Sequence, residues 1–104
     1  MGHHQESGIP QFCGIGYDDW RFRVETHLDS INVVSVLIDE PPRKEAAKAE
    51  FLKNDKKARE RIVAYVHNEY LGYIRDFKTA QGMWENLSSH FVKKSVVNQV
   101  LVRK

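Results

Sequence analysis

The sequence predicts an all-α fold, a small bundle of about five helices. Apolar residues recur at three- and four-residue steps through most of the chain, which is the period of a helix with one buried face. Residues 43–68 are rich in Ala, Lys, Glu and Arg, the strongest helix formers. One run, Ile31–Ile38, has the β-branched content of a strand, but a lone strand would have no partner to pair with.

Composition indicates one globular domain. The 104 residues are 41% hydrophobic and 29% charged. The longest apolar run, Val33–Ile38, is too short to span a bilayer, and Met1–Gln11 lacks the apolar region of a signal peptide. We therefore expect a soluble intracellular protein without a membrane partner. A single cysteine, Cys13, cannot form an internal disulfide, and the net charge of +2 does not by itself demand a nucleic-acid partner.

The chain divides into a predicted arm and a predicted helical domain. Residues 1–11 are predicted to be a flexible N-terminal arm, in which His3 and His4 resemble a tag remnant, and residues 12–104 form the domain. Gly14 and Gly16 mark a turn before the first helix. The apolar face of that helix comprises Tyr17, Trp20, Val24, Leu28 and Ile31.

The middle of the chain predicts two further helices. Ile31–Ile38 is compatible with a strand, but we favour a short helix that buries Ile31, Val34, Leu37 and Ile38 and ends before Pro41-Pro42. A long helix is expected over 43–68, with a kink or division at Asn54-Asp55.

The last third predicts a turn and two more helices. Residues 71–74 favour a helical turn or an ordered loop. A helix over Ala80–Phe91 is expected with Thr79 as its N-cap, and Ser95 is expected to cap a separate last helix. That helix reaches residue 104 without a stop signal, so we expect the domain to be truncated in or after it.

Two aromatic motifs carry a family resemblance. They are Phe12-x-Gly14-x-x-Tyr17-x-x-Trp20 and Ala80-x-x-x-Trp84-x-x-Leu87-x-x-x-Phe91. In this order, with a charged helix between them, they resemble the Gag polyprotein of copia-type LTR retrotransposons over about residues 10–104. Gly82 departs from the family pattern, which usually has an acid there that would complete a capping box with Thr79.

The resemblance implies the fold and the function. It implies an all-α, retroviral-capsid-like N-terminal lobe of the capsid region that self-associates into a cytoplasmic virus-like particle enclosing the element's RNA. The implied partner is another copy of the chain, with RNA bound mainly through regions that this chain lacks. An active transposon and a domesticated host copy are both compatible with it.

Two groups of residues are assigned from these patterns. The first is a set of core positions that mark the fold: Phe12, Gly14, Tyr17, Trp20, Trp84, Leu87 and Phe91. The second is a set of apolar positions away from the main stripes that are candidates for an assembly surface: Phe22, Val33, Val36, Tyr73, Phe77, Val97 and Leu101.

No pattern indicates catalysis, so we predict that the chain is not an enzyme and has no catalytic residue, cofactor or metal. The five histidines lack the spacing of a zinc site, and no phosphate-binding glycine loop is present. Two alternatives remain. One is a Gag-derived module that binds a peptide or partner helix. The other is an RNA-binding domain that uses residues 43–61, where eight Lys and Arg residues against four Asp and Glu residues leave a net charge of +4.

Overall fold

The computed structural model describes the backbone of residues 8–103 and the side chains of residues 8–91. In chain order it contains α1 (Tyr17–Ser30), a first 3₁₀ helix (Val34–Leu37), α2 (Glu45–Ala64), a second 3₁₀ helix (Asn68–Tyr73) and α3 (Ala80–Arg103). These described residues form no strand, and their β-type pairing is a single isolated bridge between Phe12 and Val66. The prediction of an all-α fold is therefore confirmed.

The first seven residues, most of the predicted arm, lie outside the described residues. The residues that follow them contact the domain. Ile9 is partly buried against the core, and Gln11 Nε2 donates a hydrogen bond of 3.1 Å to the Ala64 carbonyl at the end of α2. The end of the predicted arm is thus attached to the C-terminal end of α2.

Helix α1 begins after Gly16, whose φ of 70° lies in the left-handed region that favours glycine. Asp18 and Asp19 occupy its first turn, where the helix dipole stabilises negative charge. Its buried face consists of Tyr17, Trp20, Val24 and Leu28.

The segment after α1 differs from its prediction. The chain turns at Asn32, whose φ is 63°, and only the 3₁₀ helix Val34–Leu37 forms. In a 3₁₀ helix residues three positions apart lie on the same side, so Val33 and Val36 both face the core and are each 1% exposed. The prediction that Val33 and Val36 belong to an assembly surface is therefore wrong. The prediction that Ile38 is buried is also wrong, because its side chain is 72% exposed.

Helix α2 is shorter than predicted at both ends and continues through Asn54-Asp55 without interruption. Asp55 instead joins α2 to α3. Its carboxylate is buried, accepts a 2.9 Å hydrogen bond from the Ala80 backbone N–H through Oδ1, and accepts another of 2.9 Å from Arg59 Nε through Oδ2. The first N–H groups of a helix have no partner within it, so Asp55 satisfies one of them with a favourable charge.

Helix α3 is one continuous element where two were predicted. Thr79 caps its start as expected, with Oγ1 accepting a 3.0 Å hydrogen bond from the Gly82 N–H. The backbone stays helical through Ser95, since the residues around it include neither Gly nor Pro. The predicted assembly residues Val97 and Leu101 lie on this part of α3, where side chains are outside the described residues.

Phe12 lies at the centre of the aromatic core. Its ring centroid is 5.6 Å from that of Tyr17, 5.4 Å from Trp20 and 4.8 Å from Phe91. The isolated bridge holds it in place, because Phe12 N donates to Tyr65 O at 2.8 Å. The N-terminal segment therefore contributes a central residue of the core.

The two tryptophans join α1 to α3. The Trp20 and Trp84 rings have centroids 5.6 Å apart, and both side chains are buried. Trp20 Nε1 donates a 2.9 Å hydrogen bond to Tyr65 O, so its polar atom is satisfied inside the core. Leu87 is fully buried beside them, whereas Phe91 is partly buried at the edge of the cluster.

Candidate assembly groove

An open groove of about 590 Å³ runs between α1, the first 3₁₀ helix and α3. Its floor is formed by Leu37 and Trp84, which belong to the core and are buried. Because the floor is continuous with the core, the groove is held in shape by the same packing that stabilises the fold.

Two large apolar side chains line the groove and remain exposed. Phe22, on the outer side of α1, is 70% exposed, and Ile38 follows directly after the first 3₁₀ helix. Exposed apolar residues that adjoin a groove commonly mark an interaction surface. The groove therefore combines an apolar floor with apolar edges available to a partner.

Acidic residues dominate the charged rim of the groove. Glu25, Asp29 and Glu85 line it together with one cation, Arg21, which gives these residues a net charge of −2. Arg21 Nε pairs with Glu25 Oε2 at 3.0 Å, and its guanidinium carbon lies 6.0 Å from the centroid of the Trp84 ring. The described residues form no ion pair with Asp29 or Glu85, so these two charges are available to a partner.

A hydrogen bond between Tyr17 and Ser88 ties the two long walls together. The Tyr17 hydroxyl and Ser88 Oγ are 3.1 Å apart, and Ser88 lines the groove. Burial raises the pKa of the Tyr17 hydroxyl above its usual value of 10.0, although the bond to Ser88 opposes this shift. Tyr17 therefore stays neutral at physiological pH and serves as a structural contact between α1 and α3.

On the opposite side of α1, His27 packs edge-on against Tyr65, with ring centroids 5.8 Å apart. Its Nε2 atom is buried and has no hydrogen-bond partner among the described residues. Burial, followed by the positive charge of Arg61, lowers the pKa of His27 below its usual 6.5. His27 is thus a neutral core-edge residue that does not line the groove.

Two other predicted surface residues, Tyr73 and Phe77, do not line the groove. Tyr73 is half-buried, and its ring packs against His90 at 4.8 Å and Phe91 at 5.3 Å between centroids. Phe77 is exposed and covers Gly82, where an added Cβ would lie 2.9 Å from Phe77 Cδ1. Among the predicted assembly residues whose side chains are described, Phe22 is the one that lines the groove.

Three residues that line the groove, Ile38, Asp29 and Glu85, were not predicted from the sequence. The exposure of Ile38 could have been predicted, because Asp39 and Glu40 follow it and indicate that the chain enters solvent there. Glu85 comes next to Trp84 but lies on the outer side of α3, and its approach to α1 depends on how the two helices pack.

Helix α2 presents a basic surface away from the groove. Its lysines at 48, 53, 56 and 57 are all exposed, and the described residues form no ion pair with any of them. Arg59 is engaged by Asp55. The basic segment predicted from the sequence is therefore a solvent-facing surface that can contact an acidic partner.

The described residues contain no group of three His, Cys, Asp or Glu side chains placed to hold a metal ion. Cys13 is an exposed free thiol in the turn before α1. No helix in this part of the chain is long and apolar enough to cross a membrane.

The chain matches a known family over most of its length. The model of the gag-polypeptide of LTR copia-type matches residues 24–104, which cover most of the chain from the second turn of α1 onward. No solved structure matches the chain. The first aromatic motif precedes the matched region, and the second lies within it.

Proposed function

This chain belongs to the gag-polypeptide family of LTR copia-type elements, and we propose that it is the N-terminal lobe of the capsid region, which self-associates into a particle shell. Its Gag-related role follows from the family, which is structural and non-catalytic. The proposed shell encloses the element's RNA in cytoplasmic particles, with RNA held mainly by regions outside this lobe. The observation that carries the proposal is the groove with Phe22 and Ile38 exposed beside a buried floor.

Two features of the lobe support a role in assembly. A shell subunit needs a rigid body, and the continuous aromatic cluster between α1 and α3 provides one. It also needs surface patches that contact neighbours repeatedly under symmetry, so that individually weak contacts add up. The groove provides one such patch.

Sedimentation velocity over a range of protein concentrations tests the proposal, with electron microscopy of the associated fractions. We expect larger species to grow with concentration and Phe22→Glu to suppress them, because the substitution places a charge at the apolar edge of the groove. Ile15→Glu is the matched control, since Ile15 is also a highly exposed apolar residue and lies in the turn before α1 outside the groove. A parent chain that stays monomeric at every concentration would contradict self-association.

The same groove supports a second candidate function, a domesticated Gag-derived module that binds a peptide or helix from another protein. In that case the chain is a stable monomer and Phe22→Glu weakens capture of a basic, apolar peptide. RNA binding through α2 is the weaker alternative. It is supported by the exposed lysines and predicts an RNA affinity that falls steeply with salt.

A further inference from the structure

The exposed face of α2 complements the groove in both charge and polarity. Leu52 is 53% exposed and Val63 is 42% exposed, although α2 buries its other side in the core. Leu52 and Val63 are eleven residues apart, about three helical turns, so these two apolar residues share one face with basic neighbours at three- and four-residue steps between them. We name this face the α2 stripe, and it consists of Lys48, Leu52, Lys56, Arg59 and Val63.

The charge of the α2 stripe is positive. Lys48 and Lys56 are one turn before and one turn after Leu52, and both are exposed. Glu45 precedes the stripe in the first turn of α2, and two acids adjoin the stripe itself: Asp55, which is buried and paired with Arg59, and the exposed Glu60, one turn from Lys56. With Lys48, Lys56 and Arg59 against these two acids, the charge remains positive. The groove has the opposite character, with Asp29 and Glu85 unpaired within the described residues beside exposed apolar edges.

The stripe cannot fill the groove of its own chain. The groove lies between α1, the first 3₁₀ helix and α3, whereas α2 directs Ala58 and Ile62 to the core and the stripe to solvent. The two surfaces are therefore distinct patches on one molecule. Two complementary patches on one molecule produce head-to-tail contacts, which continue into rings or open arrays.

We propose that the groove of one copy binds the α2 stripe of a second copy. The contact, which rests on the proposed self-association, places Leu52 and Val63 against the apolar edges of the groove and Lys48 and Lys56 near its acidic rim. Each copy offers one groove and one stripe, so the contact repeats from copy to copy. Charge pairing at the rim directs the orientation, and apolar burial supplies most of the affinity.

Charge-swap variants test this contact by sedimentation velocity on nuclease-treated protein. The groove variant is Asp29→Lys with Glu85→Lys, and the stripe variant is Lys48→Glu with Lys56→Glu. All four positions are exposed, so the fold is expected to be retained, and circular dichroism with a thermal melt checks this. Each variant alone places like charges across the contact, which is expected to weaken self-association by roughly 100-fold.

Mixing the two variants is the decisive step. Each then supplies the complement of the other, so we expect association to return in the mixture and in the chain that carries all four substitutions. Lys53→Glu with Lys57→Glu is the matched control, because it makes the same change in net charge on α2 outside the stripe. This control is expected to self-associate like the parent.

The outcomes separate this contact from the proposed function. A parent that associates while both charge-swap variants associate equally well overturns the groove-to-stripe contact and leaves self-association intact. A parent that is monomeric at all concentrations overturns both. A stripe variant that loses RNA affinity but keeps its self-association also overturns the contact and assigns the α2 stripe to RNA.

Discussion

Replacing Asp55 with alanine removes the contact through which α2 holds the first turn of α3. The substitution deletes both carboxylate oxygens. The Ala80 N–H, which is buried and donates to Oδ1 at 2.9 Å, loses its acceptor, and the Arg59 guanidinium loses its partner at 2.9 Å. Asp55 forms no other side-chain hydrogen bond within the described residues, so the effect is expected to come from these two contacts.

The expected cost can be worked out from these contacts. A buried donor left without an acceptor costs about 1–3 kcal/mol. The ion pair with Arg59 adds at most about 1 kcal/mol, because the arginine side chain is more than one-third exposed to solvent and the pair is screened. We therefore expect Asp55→Ala to lower the free energy of unfolding by about 2–3 kcal/mol, or the melting temperature by roughly 10–20 °C.

Urea denaturation followed by tryptophan fluorescence measures this loss directly, because both tryptophans are in the core. Arg59→Ala isolates the ion pair and is expected to cost less than about 1 kcal/mol. Asp55→Asn keeps an oxygen that can accept from Ala80 and should fall between the two. A loss below about 0.5 kcal/mol for Asp55→Ala, within the range of an ordinary surface change, would refute the capping role.

Three further changes test other parts of the fold. Gly14→Ala should lower the free energy of unfolding by about 1–3 kcal/mol, since φ is 94° and the new Cβ would overlap the Tyr70 ring. Gly72→Ala is the control and should be nearly neutral, since its new Cβ meets no atom within 4 Å. Thermal melts compare the two variants. His27→Gln should flatten the acid side of the stability profile. Because the pKa of His27 is lowered in the folded protein, its contribution to the free energy of unfolding is complete above about pH 6.5 and is lost as the pH falls further. Urea titrations at several pH values measure this loss. Equal losses in the parent and the variant would contradict it. Trp84→Ala should cost about 3–5 kcal/mol and abolish the cooperative transition, and a melt near the parent temperature would disprove its core role.

Helical periodicity predicted the elements where one face is clearly apolar. Helix α1 follows its stripe through Val24 and Leu28, and the Thr79 cap lies where the side-chain preference places it. Periodicity failed in the short segment after α1. The α-helical period selects Val34 and Ile38 for burial there, but a 3₁₀ helix repeats every three residues and buries Val33 and Val36 instead.

The candidate groove was only partly predictable. Phe22 stood out because it is apolar on the polar side of an amphipathic helix, and its exposure follows from α1 alone. The acids at 29 and 85 belong to different helices, so no local pattern relates them. Similarly, the sequence favoured a break in α2 at Asp55. Its role as the acceptor for the Ala80 N–H depends on the start of α3 lying beside it, which local sequence does not indicate.

The sequence by itself determined the helical class, the two aromatic motifs and the family, since these depend on residue types and their spacing along one chain. Tertiary structure decided which apolar residues stay exposed and which charges share a surface. It brought Phe22, Ile38 and the acidic rim together in one groove and left Leu52 and Val63 on a separate basic face. The physical reason is that burial and pairing depend on contacts between distant elements, which local spacing does not encode.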